Sequence, residues 1–331
     1  YVNMNNFYFQ GRGIADFARE FYNEGGRVLL IDQVFKHPEW SPELRKCYDM
    51  YPNLKIVFTG SSVMRLKEEN PELNNIVKSY NLRGFSFREF LNLKTGNHFR
   101  PYTLDEILRN HERIVKDILP KVSPLSFFQD YLHHGFYPFF QEQRNYSENL
   151  LKTMNMVTEV DILLIKQIEL KYLTKIKKLF YLLALEGNKA PNVSWLAQEI
   201  ETSRATVMNY IKYLADARLT NMIYPKGCEF PKKPSKVMMH NTNLMYAIYP
   251  IAVKRQDVME TFFVNTMWKD HNVNQGAKDD FYWVDGSLKF KICNANDFEK
   301  KKFRQDTIYA RYNTEVGKDN LIPLWLLGFL Y

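Results

Sequence analysis

The 331-residue sequence predicts an α/β protein whose parallel sheet comes first, followed by helices and then a second, smaller α/β region. Three observations carry this prediction. Two short apolar runs, 28–31 and 55–58, bracket a helical segment, which is the pattern of parallel strands buried on both faces. Both runs stop abruptly in polar residues, Asp32-Gln33 after the first and Thr59-Gly60-Ser61-Ser62 after the second. Helix-start signals and 3.6-residue periodicity then dominate from Ser86 onward.

Taken in order, Gly11-Arg12-Gly13 reads as a turn before a helix over 14–24. Its stripe is Ile14, Phe17, Ala18 and Phe21, and Gly25-Gly26 closes it. Between the two apolar runs, Ser41 is the expected N-cap, with Pro42 at the first helical position, Glu43 in the first turn and Pro52 ending the unit. A further strand is expected around 77–82. Segment 86–96 opens with a capping box, Ser86 with Glu89, and 103–119 repeats it with Thr103 and Glu106. With 124–134 and 147–169 these make an all-helical region. His133-His134 carries no metal expectation, because adjacent helical residues point ~100° apart.

Residues 171–223 read as a winged helix-turn-helix. One helix carries Ile176, Leu179, Phe180 and Leu183, and a second carries Trp195, Leu196 and Ile200. A third, capped by Ser203, turns Ala205, Tyr210, Ile211 and Leu214 inward, and strands 219–224 and 236–240 frame a basic, Pro-containing loop. If this module binds DNA, Arg204, Thr206, Asn209 and Lys212 face the major groove, with Arg suited to guanine, Asn to adenine and Lys to phosphate. The alternative is a protein-interaction or linker module of the same shape.

Composition bounds the class without deciding it. Apolar content of 45% and charged content of 25% are ordinary for a folded chain, and 15% aromatics argue against disorder. A net charge of +8 permits nucleic-acid or acidic partners. Its local clusters, 171–178, 232–236 and 300–304, are each ordinary as solvated faces. Cys47, Cys228 and Cys293 are far apart and form no CxxC pair, which argues for a reducing cytoplasm and against a structural metal. No apolar run approaches the ~20 residues of a membrane span, so no membrane partner is expected.

A strand-ending Asp followed by an acid is half of a P-loop NTPase site: the Asp holds Mg²⁺ and the Glu positions water. Asp32 fits the first role. Gln33 has nearly the shape of Glu but cannot take a proton, so the pair favours binding without turnover. The plainer alternative is that Asp32 caps a turn and Gln33 is a solvated loop residue. The phrases LLIDQVFKHPEW, KIVFTGSS and LRGFSFREFL resemble a family of bacterial and archaeal AAA-type ATPases that carry a winged helix and a nuclease-like C-terminal domain of unknown function. The resemblance runs from Tyr1 to the terminal IPLWLLGFLY. It implies Asp32 on Mg²⁺, Gln33 at the catalytic-Glu position, and Thr59 and Ser61 as the γ-phosphate sensor. It also places Asn74-Asn75 where the family has an arginine-finger phrase.

No GxxxxGK[ST] occurs in the sequence. The resemblance aligns residues 1–5 with the family's second strand. It therefore implies either a longer chain with its phosphate loop before Tyr1, or a sheet closed around the gap. From Gln256 on, the resemblance is to a metal-dependent nuclease. Glu260 stands at its helix acid, Asp280 at its strand-ending Asp, Lys291 at its Glu and Ala295 near its Lys. A charge-reversed ligand cannot hold a divalent metal, so this domain is expected to be inactive; the alternative is a small α/β packing domain with salt-bridged surface acids.

The expected organisation is thus a partial ATPase core at 1–83, a helical lid at 84–170, a winged helix at 171–240 and a nuclease-like domain at 241–331. The expected function is an ATP-binding AAA-type protein with little or no hydrolysis, its cofactors ATP and Mg²⁺ depending on a phosphate loop. The alternative is a DNA- or protein-binding adaptor with the core as scaffold. An active ATPase using Glu39 or Glu43 ranks below both. An oligomer is open, since AAA proteins often form rings, but a lost arginine finger removes the catalytic reason for one.

Overall fold

Three parallel strands begin the fold, β1 (Val2–Asn3), β2 (Val28–Asp32) and β3 (Lys55–Phe58), in the order β1-β2-β3. The computed structural model describes residues 1–61, 70–142, 145–276, 280–294 and 304–331. Ser62, Ala295 and Lys300 of the expectations above lie outside these. The chain divides into two units, 1–82 with 161–168 and 83–160 with 169–331.

In the first unit, α1 (Ile14–Asn23) joins β1 to β2, and α2 (Trp40–Met50) joins β2 to β3. The expected stripe of α1 packs with Leu29, Ile31, Val34, Leu44 and Cys47 in one core. Burial on both faces of the sheet is not what forms. Leu29 and Ile31 are buried, whereas Val28, Leu30 and Val57 are 54%, 41% and 57% exposed. Period-two alternation sends these three away from the core built with α1 and α2. Residues 77–82 form no strand; Ile76 and Val77 pack instead against the core, and among the described residues β3 is the edge of the sheet.

Helix α2 starts earlier than its capping signal suggests. Glu39 is the N-cap, Ser41 lies inside the first turn, and its buried hydroxyl donates to the Glu72 carboxylate. Pro42 remains within the first turn, where a missing N–H breaks no helical bond. Glu43 has a further task. Its carboxylate accepts the Ala15 N–H at 3.0 Å, closing the start of α1, and sits 3.1 Å from His37 Nε2. Gly13 allows that approach, since a Cβ there would lie 2.3 Å from the carboxylate.

The second unit opens with α3 (Phe87–Thr95) and α4 (Leu104–Ile118), both closed by the expected capping boxes, then α5 (Pro124–His134) and α6 (Tyr146–Met156). A π-helical stretch, Val157–Ile162, leads into the short α7 (Leu163–Ile165), and residues 161–168 belong to the first unit. Next come α8 (Leu173–Glu186), α9 (Val193–Glu199) and α10 (Arg204–Asp216). An antiparallel ribbon follows, β4 (Thr220–Ile223) with β5 (Lys236–Met239), and Lys189 bridges to Val237. Their core includes Ile176, Leu179, Phe180, Leu183, Leu196 and Ile211. One inward expectation is corrected, since Ala205 is exposed; Trp195 is half-buried. The buried stripe of α10 is Val207, Tyr210, Ile211 and Leu214, the i, i+3, i+4, i+7 set.

After α11 (Thr242–Ile248) and α12 (Arg255–Met267) comes a mixed sheet of β6 (Val273–Asn274), β7 (Tyr282–Val284), β8 (Leu288–Cys293), β9 (Ile308–Arg311) and β10 (Leu321–Pro323). The first three strands are antiparallel, and β8, β9 and β10 run parallel. Phe263 of α12 meets Tyr282 and Phe290 at 5.5 and 5.2 Å. The terminal Leu324–Phe329 turn is buried, and Phe329 meets Phe87 of α3 at 6.3 Å. Phe128 of α5 meets Phe262 of α12 at 4.9 Å, so the early helices and the C-terminal region share a core. Among the described residues, no helix is long and apolar enough to cross a membrane.

Candidate functional site

The carboxyl ends of the three parallel strands meet at Asp32. Its Oδ2 accepts from the Tyr1 hydroxyl at 2.9 Å and from Asn3 Nδ2 of β1 at 2.8 Å, and its Oδ1 accepts the hydroxyl of Thr59, just beyond β3. Thr59 Oγ1 in turn accepts the Gln33 N–H at 3.0 Å. The Thr59 hydroxyl, above all, holds the Asp32 carboxyl below its usual range; partial burial opposes it, and Tyr1 and Asn3 add to it. Gln33 is left-handed, with φ 58° and ψ 48°, and its Oε1 accepts from Asn5 Nδ2 at 3.1 Å.

Three of the expected residues, Asp32, Gln33 and Thr59, are therefore in one hydrogen-bonded chain. Ser61 engages a different group: its hydroxyl donates to Asp161 Oδ2 at 2.6 Å. Burial raises the Asp161 carboxyl, against the Ser61 hydroxyl and the Lys36 charge. Asp161 carries no local sequence signal, since it lies 100 residues from Ser61. Asn74 and Asn75 are exposed beyond the Pro71–Leu73 turn, and Asn75 has φ 68°. Asn tolerates that backbone better than most residues, which accounts for its presence there without reference to a lost arginine.

For Mg²⁺ the donor set is chemically suitable: a carboxylate, a hydroxyl and an amide oxygen are hard ligands. Asp32 already accepts three protein donors against roughly four lone-pair sites, leaving room for one further ligand or a bridged water. Among the described residues, no group of three or more His, Cys, Asp or Glu is arranged to hold a metal. These residues fit a peripheral magnesium contact; they do not by themselves cradle phosphates.

Of the expected DNA-facing residues, Arg204 and Asn209 are exposed. Thr206 is partly covered, 2.8 Å from the Ser203 hydroxyl, and Lys212 is engaged by Asp216. The nuclease positions are not assembled into one site. Glu260 is 9% exposed and accepts from Lys236 Nζ at 2.8 Å, Tyr282 OH at 2.7 Å and Gln256 Nε2 at 3.0 Å. Asp280 precedes β7 rather than ending a strand, and stands 4.0 Å from Lys291. Phe290 pairs with Tyr282 and faces α12, so Lys291, one residue on, points to the opposite face from Glu260.

Comparison with known proteins agrees with the first unit's geometry. Residues 1–91 match a family model described as an AAA domain, so the amino-terminal part is AAA-type and ATPase-like. Residues 126–252 match a model described as a domain of unknown function. An uncharacterized protein of Methanocaldococcus jannaschii is 28% identical over 206 residues, 60% of this chain and 43% of the relative. The chain thus spans less than half the length of the curated relative it matches. No solved structure matches it.

Proposed function

We propose that the chain is an ATP-binding protein of the AAA type that hydrolyses ATP slowly or not at all. It carries a winged helix over α8–α10 and the β4–β5 ribbon, and an inactive nuclease-like domain at its C-terminus. The observation that carries the reading is Gln33. At the carboxyl end of β2, beside an ionised Asp32, stands an amide that takes no proton and whose oxygen is engaged by Asn5. General-base assistance contributes roughly 10²–10⁴ in rate, so its loss at this position leaves binding and removes most turnover. Glu43 is spent on α1 and His37, which argues against its use as a substitute base.

A second reading has its own support. The hydrogen-bonded Asp32 cluster ties three strand ends together, which suits a scaffold for a DNA- or protein-binding adaptor with Arg204 and Asn209 exposed on α10. Calorimetry with Mg-ATP and phosphate-release assays separate the two, run on the full-length protein with Gln33→Glu alongside. Tight binding, no turnover and partial rescue by Gln33→Glu are expected. Absence of ATP binding would leave the adaptor reading.

A further inference from the structure

Ser61 and Lys36 lie just beyond adjacent parallel strands. Ser61 follows β3, and Lys36 ends the Val34–Lys36 turn after β2. The Ser61 hydroxyl donates to Asp161 at 2.6 Å; burial raises the Asp161 carboxyl overall, and the Ser61 hydroxyl and then the Lys36 charge act against that rise. A hydroxyl bonded to a carboxylate, with an ammonium charge acting on it from beyond direct contact, stands beyond the carboxyl ends of parallel strands, the location at which α/β sheets take phosphate groups. The oxyanion present comes from the chain itself, at the end of a π-helical stretch, Val157–Ile162. Such wide turns are rare and concentrate at functional sites.

We propose that Ser61 and Lys36 form an oxyanion site that Asp161 fills from within, and that a phosphate group is the ligand that displaces it. A phosphate oxygen takes the same hydrogen bond and brings more charge to Lys36. The two anions exclude each other, because neighbouring negative charges repel and Ser61 has one proton to give. Asp161 acts as a tethered competitor, present at the effective concentration of an intramolecular ligand, on the order of millimolar or above. Only a phosphate that exceeds this competition binds, and its binding releases residue 161 and the helical turn around it. This rests on the nucleotide reading only for the identity of the phosphate's carrier.

The test titrates the full chain calorimetrically with orthophosphate, pyrophosphate and ATP, using wild type, Asp161→Asn, Asp161→Ser and the double variant Ser61→Ala/Asp161→Asn. Both single variants are expected to bind pyrophosphate at least about tenfold tighter than wild type, ~1.4 kcal/mol, and the double variant to lose that gain. In wild type, millimolar pyrophosphate should raise amide exchange over residues 157–165, a readout that needs no mutation. The proposal is overturned if folded Asp161 variants bind no anion tighter than wild type, or if the gain survives loss of the Ser61 hydroxyl. A pyrophosphate gain without an ATP gain keeps the oxyanion site and removes the nucleotide reading.

Discussion

Thr59 is the residue on which the candidate site turns, because one hydroxyl serves two partners. It donates to Asp32 and accepts the Gln33 N–H, so replacing it by Val keeps the β-branched shape and removes both bonds. Thr59→Val is expected to cost about 1–2 kcal/mol in urea unfolding and to raise the Asp32 pKa in an NMR titration. An unchanged Asp32 titration would show that the hydroxyl is not what depresses it. The sign of the pH dependence follows. The folded-state pKa of Asp32 is lowered, so its contribution is present above the unfolded value of about 3.9 and is lost as pH falls through the folded value. Asp32→Asn should therefore flatten the acid limb of the stability curve. Asp32 and Gln33 were legible in the sequence because a polar pair ends an apolar run. Tyr1, Asn3 and Asn5 were not, since nothing local marks a side chain that reaches across to another strand.

At the scale of elements, the capping boxes at Ser86 and Thr103 form as written, because both partners lie within four residues. The strands pair in parallel as the helix between them requires, but one face is covered where the apolar runs predict two. A continuous apolar run signals two buried faces only when both are covered, and a strand cannot encode its neighbours. Substitutions distinguish the faces: Leu29→Ala should cost about 2–4 kcal/mol, whereas Val57→Thr should stay within about 0.5 kcal/mol. Comparable losses at both positions in chemical denaturation would mean that the outer face is covered in solution. The phase of α10 was readable only approximately, since Ala205 and Val207 are both small and apolar and packing alone selects Val207.

At the scale of the molecule, Lys236, Glu260 and Tyr282 bind the β4–β5 ribbon to α12 and the C-terminal sheet. Breaking such a buried pair from one side strands a charge. Glu260→Ala is expected to destabilise the second unit by about 3–5 kcal/mol, and Lys236→Met added to Glu260→Leu to recover most of the loss. A double variant no better than Glu260→Ala would assign the cost to packing instead. The family resemblance places Glu260 at a nuclease's helix acid, with Lys291 in place of its strand Glu, yet the register turns Lys291 to the other face. By itself, the sequence determined the local elements, from the parallel βαβ start to the three helices and ribbon of 173–239, since periodicity and capping act within a few residues. Only the tertiary structure decided which side chains meet. The Asp32 cluster, the Ser61–Asp161 contact and the separation of Glu260 from Lys291 depend on strand register and on the packing of distant segments, which no short-range pattern encodes.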